Sequence, residues 1–570
     1  MERSAIYHVA CGIFCYAVAA DTLNIRLRIS ATDRLAVHIN YKDLYDHTER
    51  IMTKAMTRLL DDGVSSIYEV SITIPTKHFK YYFTLQEGDD TAHYTASGFV
   101  LKPDSTDYFY YSAINQDDIL RLPQWARGEL IYQLLVDRFH DGEPLNNPPG
   151  VKPWGALPDR STYYGGDFAG ISQKLPYLKG LGVKIIYLSP VFISPTYHKY
   201  DIVDYYAIET IYGGEAGLRH LVDSAHQEGI RIILDAVFNH CSSEHPFFQD
   251  LLAKQEHSPY RDWFFPESFP VSREFGNYDN FANQVPSMPK FNTANPDVIN
   301  YLTDQAIFWL ERLDIDGYRL DVADEVSHRL WRELRQKVKS KRPDALLLGE
   351  IWNHATAWLS GSELDTATNY RFRKLMVELV AGKIDANEFA LLHQANLMHY
   401  QTPLHPYLVN LIGSHDTERF VTLAGDVATH HLALQTMLVF EGMPLLYYGD
   451  ELAMPGGKDP DNRRAMAWTD VCDPLSEMTK TVAQYRSRSD ILRYGTQTFA
   501  KSGGQVLRIL RSYQGRHLLI IANFTNLMIG IDPSGKQVEL GEATLENGLL
   551  QIPAKRLAIF TMAHPTMLEK

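Results

Sequence analysis

The chain is 570 residues long, room for about three or four domains at roughly 150 residues each. Its 55 Lys and Arg stand against 69 Asp and Glu, a formal charge of −14, which argues against a nucleic-acid binder, since that needs a basic face to displace counterions. With 45% hydrophobic and 22% charged residues it is neither disordered nor fibrous, and no uncharged apolar run reaches the roughly 18 residues of a membrane span.

The four cysteines, Cys11, Cys15, Cys241 and Cys472, are too few for a disulfide framework and are expected as buried free thiols. The apolar stretch from Val9 to Ala20 has the length of a signal-peptide core, with Ala17-Val18-Ala19 at its end. Only Arg3, set against Glu2, precedes it, and the residues that follow run straight into a strand pattern. The expectation is a cytoplasmic protein whose first strand lies here.

Residues 1–125 read as an all-β module. Leu23 to Ser30 alternates strictly, as a strand with one buried face does, and Ser66 to Pro75 and Lys80 to Leu85 are further strands. No cluster of histidines or carboxylates marks this module as catalytic. From Glu129 the pattern changes to short apolar strands separated by amphipathic helices. Seven strands are predicted, at 130–135, 184–189, 231–237, 315–320, 345–348, 408–412 and 444–447, with a weak eighth near Thr368-Asn369-Tyr370. Helical stretches such as 216–228 and 298–313 lie between them. Strands buried on both faces and alternating with helices mean parallel βα units. Eight of them predict an α/β fold, a (β/α)8 TIM barrel over 126–494.

An insertion, 241–290, follows the third strand. Ten of its 50 residues are Phe, Trp or Tyr, or 20% against 12% overall. Such enrichment serves either a small private core or sugar stacking over a cleft. From 495 to 570 the pattern is antiparallel β again.

A TIM barrel assembles its site at the C-terminal ends of its strands. Four strand endings carry polar groups: Asp235 to His240, Arg319 and Asp321, Glu350, and His415-Asp416. Asp321 and Glu350 are 29 residues apart, one βα unit, and Glu350 and Asp416 are 66 apart, about two. Three carboxylates after strands four, five and seven therefore converge on one mouth. Converging carboxylates suit glycoside hydrolysis, whose oxocarbenium-like transition state needs negative charge beneath it and a proton donor at the leaving oxygen. On this reading Arg319 holds Asp321 ionised, Glu350 keeps its proton among other carboxylates, and His240 and His415 donate to sugar hydroxyls. Metal binding is the rival use of such residues, but no His-x-x-x-His pair supports a catalytic transition metal.

These motifs resemble the α-amylase family of glycoside hydrolases, and within it the cyclomaltodextrinase, neopullulanase and maltogenic amylase group. Asp235-Ala-Val-Phe-Asn239-His240 matches the family's first region and Gly317-Tyr-Arg319-Leu-Asp321-Val-Ala-Asp324-Glu325-Val its second. Gly349-Glu350-Ile-Trp352 matches the third and Gly413-Ser-His415-Asp416 the fourth. Met288-Pro289-Lys290-Phe291-Asn292 resembles the MPKLN segment of this subgroup. The resemblance implies Asp321 as nucleophile, Glu350 as general acid/base and Asp416 as transition-state stabiliser, with retention of the α configuration. It implies sugar contacts from His198 and Tyr200 in Tyr197-His198-Lys199-Tyr200, from Trp352, and from Asp459 and Arg463 in Asp459-Pro-Asp-Asn-Arg463. Asp235, His240, Arg319, Asp324, Glu325 and His415 complete the implied substrate-binding set. Asp324 stands where the subgroup usually has Asn, and Trp352 is followed by Asn353 and His354 in place of an immediate His; the first departure leaves bond preference and transglycosylation open.

The resemblance further implies a starch-binding β-sandwich at the N-terminus and a homodimer formed through it. The implied substrates are α-glucan oligosaccharides, cyclodextrins and pullulan, with no membrane or nucleic-acid partner and no cofactor for catalysis. Asp141-Gly-Glu143-Pro-Leu-Asn146-Asn147 and Gly165-Gly-Asp167 resemble the two halves of a structural calcium site, with an ordinary polar turn as the alternative. A glycosyltransferase or isomerase of the same family is the alternative reading of the activity. A non-enzymatic homologue is the remote one, since all three carboxylates are present.

Overall fold

The computed structural model describes residues 1–48, 50–468 and 473–563. Two compact units divide it, one formed by Met1–Arg121 with His354–Gly361 and Asn387–His405, the other by the remainder.

In the first unit, strands Cys15–Ala19, Thr22–Ser30, Ser65–Thr73 and Thr57–Asp61 form one antiparallel sheet. Met52–Ala55, Ala36–Asp43, Phe79–Glu87, Asp90–Thr95, Gly98–Val100 and Phe109–Tyr111 form the second. Leu23, Ile25, Leu27 and Ile29 from the first sheet and Val37, Ile39, Phe83 and Leu85 from the second make one core, as in a sandwich. The stretch weighed as a signal core includes the strand Cys15–Ala19, paired with Thr22–Ile25. The strict alternation in Thr22–Ser30 predicts one wet face, yet Asn24 and Arg26 are also buried. Arg26 is neutralised by Glu69 at 2.7 Å and donates to the Tyr400 carbonyl at 2.7 Å, so its charge is satisfied without water. The expectation of buried thiols holds for Cys15 and Cys241 but not for Cys11, which is exposed; Cys472 lies outside the described residues.

In the second unit, eight parallel strands close a barrel: β1 (Ile131–Leu134), β2 (Ile185–Leu188), β3 (Arg231–Ala236), β4 (Gly317–Leu320), β5 (Leu346–Gly349), β6 (Thr366–Asn369), β7 (Val409–Leu411) and β8 (Met443–Tyr447). Alternate residues point inward, and Ile131, Ile185, Ile233, Leu346, Leu348, Val409, Leu411, Met443 and Leu445 fill the interior. β6 is faint in the sequence because it reads Thr-Ala-Thr-Asn, and it lies two residues earlier than expected at its start. Its hydroxyls replace apolar contacts with hydrogen bonds: Thr366 donates to the Tyr407 carbonyl at 2.5 Å, and Thr368 exchanges bonds with Ile351.

Between β3 and the helix Pro296–Leu313 lies the insertion, with the helix Pro246–Lys254 and the hairpin Asn280–Phe281/Val285–Pro289. Its aromatic enrichment serves mostly its own core. Phe248, Phe264 and Tyr278 are buried, Phe247 stacks on Tyr260 at 4.2 Å, and Phe281 alone of the ten lines the cleft described below. C-terminal to the barrel, Thr496–Ala500, Val506–Tyr513, Arg516–Asn523, Arg556–Met562 and Lys536–Gly541 form an antiparallel sheet beside a three-stranded one. Among the described residues no helix is long and apolar enough to cross a membrane.

Candidate active site

Strand register decides which polar groups reach the barrel mouth. Asp235 on β3 pairs with Arg319 on β4, and both point inward, two residues above the apolar layer. The guanidinium of Arg319, 2% exposed, is shared by three carboxylates. Its Nη1 lies 2.8 Å from Asp235 Oδ1 and 2.6 Å from Asp321 Oδ1, and its Nη2 lies 2.6 Å from Glu350 Oε2. Asp235 also accepts from the hydroxyls of Tyr187 at 2.6 Å and Tyr200 at 2.8 Å. A planar fork with several donors suits this sharing, which a point charge could not manage.

Asp321, Glu350 and Asp416 follow β4, β5 and β7 and line one cavity of about 560 Å³. Asp321 has one oxygen on Arg319 and the other, Oδ2, buried without a hydrogen bond. Val322, the next residue, is held at a φ of 44°, costly for a β-branched side chain, at about 1–3 kcal/mol for such strained backbone generally. In that conformation its N–H donates to Glu350 Oε2 at 3.1 Å, so the turn after the first carboxylate also fixes the second.

Burial pushes the Asp321 carboxyl well above its ordinary value; Arg319 opposes this, and the neighbouring Glu350 and Asp235 add to it. Burial also raises Glu350, again against Arg319 and with Asp416 adding to the rise. Arg319 thus lowers the Asp321 carboxyl, as expected, but burial outweighs it. One cation divided among three carboxylates does not offset their desolvation and mutual repulsion, so both carboxyls are displaced upward. Asp416 differs. Burial raises it too, but His415 and Arg463 outweigh burial and hold it below the usual carboxylate range. His415 Nε2 lies 2.9 Å from its Oδ2, and Arg463 Nη2 2.9 Å from its Oδ1.

His198 and His240 line the cavity and are both driven down to about 3, chiefly by burial, so both are neutral donor-acceptors. Tyr200 lies parallel to His415, their rings 5.3 Å apart. Glu350, Trp352, Asp324 and Glu325 come from neighbouring strand ends. Trp352 stacks on Tyr370 at 3.8 Å with its indole 45% exposed, Asp324 is half-buried with its carboxyl raised by burial, and Glu325 pairs with Lys290 at 2.7 Å. At the other side, Arg463 bridges Asp416 and Asp459, the latter at 3.2 Å.

All the sequence-predicted substrate residues thus meet around one cavity except two. Asp235 and Arg319 lie beneath its floor, because their strand positions are one step deeper than the loop residues that line it. Sequence reasoning missed Arg160, which reaches the rim from an exposed loop and carries no motif. It also missed Tyr187 and Gln133, whose only signal is a polar or hydroxylated side chain inside an apolar strand.

The six residues expected to hold calcium are only partly disposed to do so. Asp141 Oδ1 and Asn147 Oδ1 are buried without hydrogen bonds, which fits a hard cation. Asp167 is committed elsewhere, since its carboxylate accepts from the backbone N–H groups of Gly142, Glu143 and Gly170 and caps the helix Phe168–Gln173. Glu143 caps the short turn that includes Asn146, and Gly165 packs against the Asn147 amide, where a Cβ would clash.

Residues 133–500 match the family model described as the alpha amylase catalytic domain, and residues 1–115 match the alpha amylase N-terminal ig-like domain. The chain is 41% identical over 535 residues to neopullulanase 2 of Thermoactinomyces vulgaris, covering 92% of this chain and 91% of that protein. It is 37% identical over 531 residues to a cyclomaltodextrinase of Thermoanaerobacter pseudethanolicus, covering 92% of each. A solved cyclomaltodextrinase structure superposes with a TM-score of 0.92 at 34% identity, over 98% of this chain and all of that one. With its barrel, its flanking β modules and the three carboxylates at its mouth, the chain belongs to the α-amylase family of glycoside hydrolases.

Proposed function

We propose that the protein is a retaining, endo-type hydrolase of α-1,4-glucosidic bonds, with α-1,6 bonds as further substrates, in cyclodextrins, pullulan and maltooligosaccharides, acting by double displacement with some transglycosylation. The observation that carries this reading is the guanidinium of Arg319 shared by Asp321 and Glu350, beside Asp416, whose carboxyl is held below the usual range. In the productive form the proton resides on Glu350. Glu350 gives it to the leaving glycosidic oxygen as Asp321 Oδ2 bonds to the anomeric carbon and the glycosidic bond breaks. Glu350 then takes a proton from water, whose oxygen displaces Asp321. Asp416 binds hydroxyls of the sugar at the reacting centre and opposes its developing positive charge.

The acid lies on the leaving-group side, so Trp352, Asp324, Glu325 and Lys290 form the aglycone side, and Asp459, Arg463, His198 and Arg160 the glycone side. Tyr200 stacks on the sugar between them. His240 donates to its hydroxyls, His415 holds Asp416 and Tyr200, and Asp235 acts through Arg319. A sugar hydroxyl can replace water in the second step, and the aglycone side decides how often.

Initial rates on β-cyclodextrin, pullulan and soluble starch at equal mass, with products identified by chromatography, test the reading. Fast cyclodextrin cleavage to maltose, with panose from pullulan and slow starch attack, supports it. Starch cleaved fastest to long products overturns the substrate ranking, and new oligosaccharides without hydrolysis would make the protein a transferase.

A structural calcium ion would take Asp141 and Asn147 as oxygen ligands and contribute no step to the reaction; an unchanged melting temperature in excess chelator removes it. Two copies pair through the N-terminal module, as the sequence resemblance implies, and light scattering decides it. A cytoplasmic setting is supported by the free thiols of Cys15 and Cys241 and by the sheet role of Cys15–Ala19.

A further inference from the structure

Gln133 sits on β1 opposite Tyr187 on β2 and Tyr447 on β8, two residues beyond the inward-facing Ile131. It is therefore an amide on the inner wall of the barrel, 4% exposed, just below the cavity. Its Nε2 lies 2.6 Å from Nδ1 of His415, which is 282 residues away in sequence and 2% exposed. The other ring nitrogen, Nε2, lies 2.7 Å from the Tyr200 hydroxyl and 2.9 Å from Asp416 Oδ2.

The protons in this chain of contacts can be placed from its ends. Asp235 accepts from Arg319 and Tyr187, so it is a carboxylate, and the Tyr200 hydroxyl spends its one proton on it at 2.8 Å. The Tyr200 oxygen then has only lone pairs to offer His415. Asp416 accepts from Arg463 Nη2 at 2.9 Å and is likewise an acceptor. His415 Nε2 faces two acceptors and must carry a proton. A proton on Nδ1 alone would set the bare Nε2 against the Asp416 carboxylate at 2.9 Å, lone pair against lone pair. With the Gln133 amide N–H directed at it, Nδ1 is an acceptor, and Gln133 Oε1 is left buried without a hydrogen bond.

We propose that Gln133 is a positioning residue for the hydrolysis: its amide fixes His415 as the neutral Nε2–H tautomer and so aims one donor at Asp416 and Tyr200. This rests on the role given above to Asp416 as the group that stabilises the transition state. Acting through His415, Gln133 keeps Asp416 and Tyr200 in register at the reacting centre without itself touching the sugar.

Two measurements on the full-length protein test the assignment separately from the activity. Histidine nitrogen-15 NMR, with the His415 signals identified by their loss in His415→Gln, reports the tautomer directly. The expected result is a protonated Nε2 and a bare Nδ1 at neutral pH. A proton on Nδ1, with or without one on Nε2, overturns the proposal even if the enzyme is fully active on β-cyclodextrin. Conversely, an enzyme inert on all α-glucans with the expected tautomer would sink the functional reading and leave the proton assignment standing. In kinetics on β-cyclodextrin and maltotriose, Gln133→Met should lower kcat roughly 10- to 100-fold, the effect of leaving a buried polar group unpaired, with KM within about threefold. Gln133→Glu, of the same shape, covers the case in which the methionine variant fails to fold. Its carboxylate should draw a proton onto Nδ1, visible in the same spectra, and depress kcat likewise. Full kcat in either folded variant overturns the proposal.

Discussion

Replacing Arg319 with lysine keeps one positive charge beneath the site and removes the fork. In the wild type two guanidinium nitrogens reach three carboxylates, at 2.8 Å for Asp235 and 2.6 Å for Asp321 and for Glu350. A single ammonium on a flexible stem cannot hold all three, so at least one charge-assisted bond is lost, worth about 1.5–3 kcal/mol. That energy corresponds to roughly one to two pH units in the titration of the Asp321–Glu350 pair. The sign follows from burial, which already raises both carboxyls and which Arg319 opposes. With the opposition weakened, the pair keeps its protons to higher pH. The acid limb of the kcat profile, which reports the carboxylate that must be ionised, should therefore move upward by about one unit or more, and kcat at its optimum should fall about 10- to 100-fold. The assay is kcat on β-cyclodextrin from pH 4 to 9, with circular dichroism at each pH to show that the variant stays folded. A folded Arg319→Lys protein whose acid limb does not move, and whose kcat stays within about threefold, would refute the shared-guanidinium argument.

Asp321→Asn and Glu350→Gln should each lower kcat by roughly 10³-fold or more while leaving the melting temperature nearly unchanged, and a variant with near-normal turnover would reverse the assigned roles. Asp324→Asn removes a half-buried charge from the aglycone side; the ratio of transfer products to hydrolysis products from maltotriose should change several-fold, and an identical product ratio would leave Asp324 outside the acceptor site. His405, buried and pushed down to about 3, binds its proton less readily in the folded protein than in the unfolded chain. Its contribution to stability is complete above pH 6.5 and is lost as the pH falls from there toward 3. His405→Gln keeps a donor for the Leu397 and Tyr400 carbonyls but cannot titrate, so melting temperatures between pH 6.5 and 4 should decline less steeply than in the wild type; equal slopes would exclude the effect.

The strand-and-helix alternation was legible because it is a local pattern: apolar runs such as Ile185–Leu188 and Leu346–Gly349 are too short for helices and recur between amphipathic stretches, as strands covered on both faces do. The three carboxylates were legible because each ends such a run, and a barrel brings strand ends to one rim whatever lies between them. β6 was faint because its stability comes from hydroxyl hydrogen bonds to Tyr407 and Ile351, contacts that no periodicity encodes. In the same way, the alternation of Thr22–Ser30 could not reveal that Glu69 and the Tyr400 carbonyl would bury Arg26.

Chain order and local pattern thus place these groups at the mouth of the barrel, while what each does to its neighbours follows from the fold. Proton affinity depends on distances of a few ångströms and on exclusion of water, and those are set by residues far apart in the chain. The single guanidinium is divided among Asp235, Asp321 and Glu350, so its pull on the nucleophile is set against burial and two neighbouring carboxylates. The contact of Gln133 with His415 joins the first barrel strand to the end of the seventh, and exists only because the barrel closes.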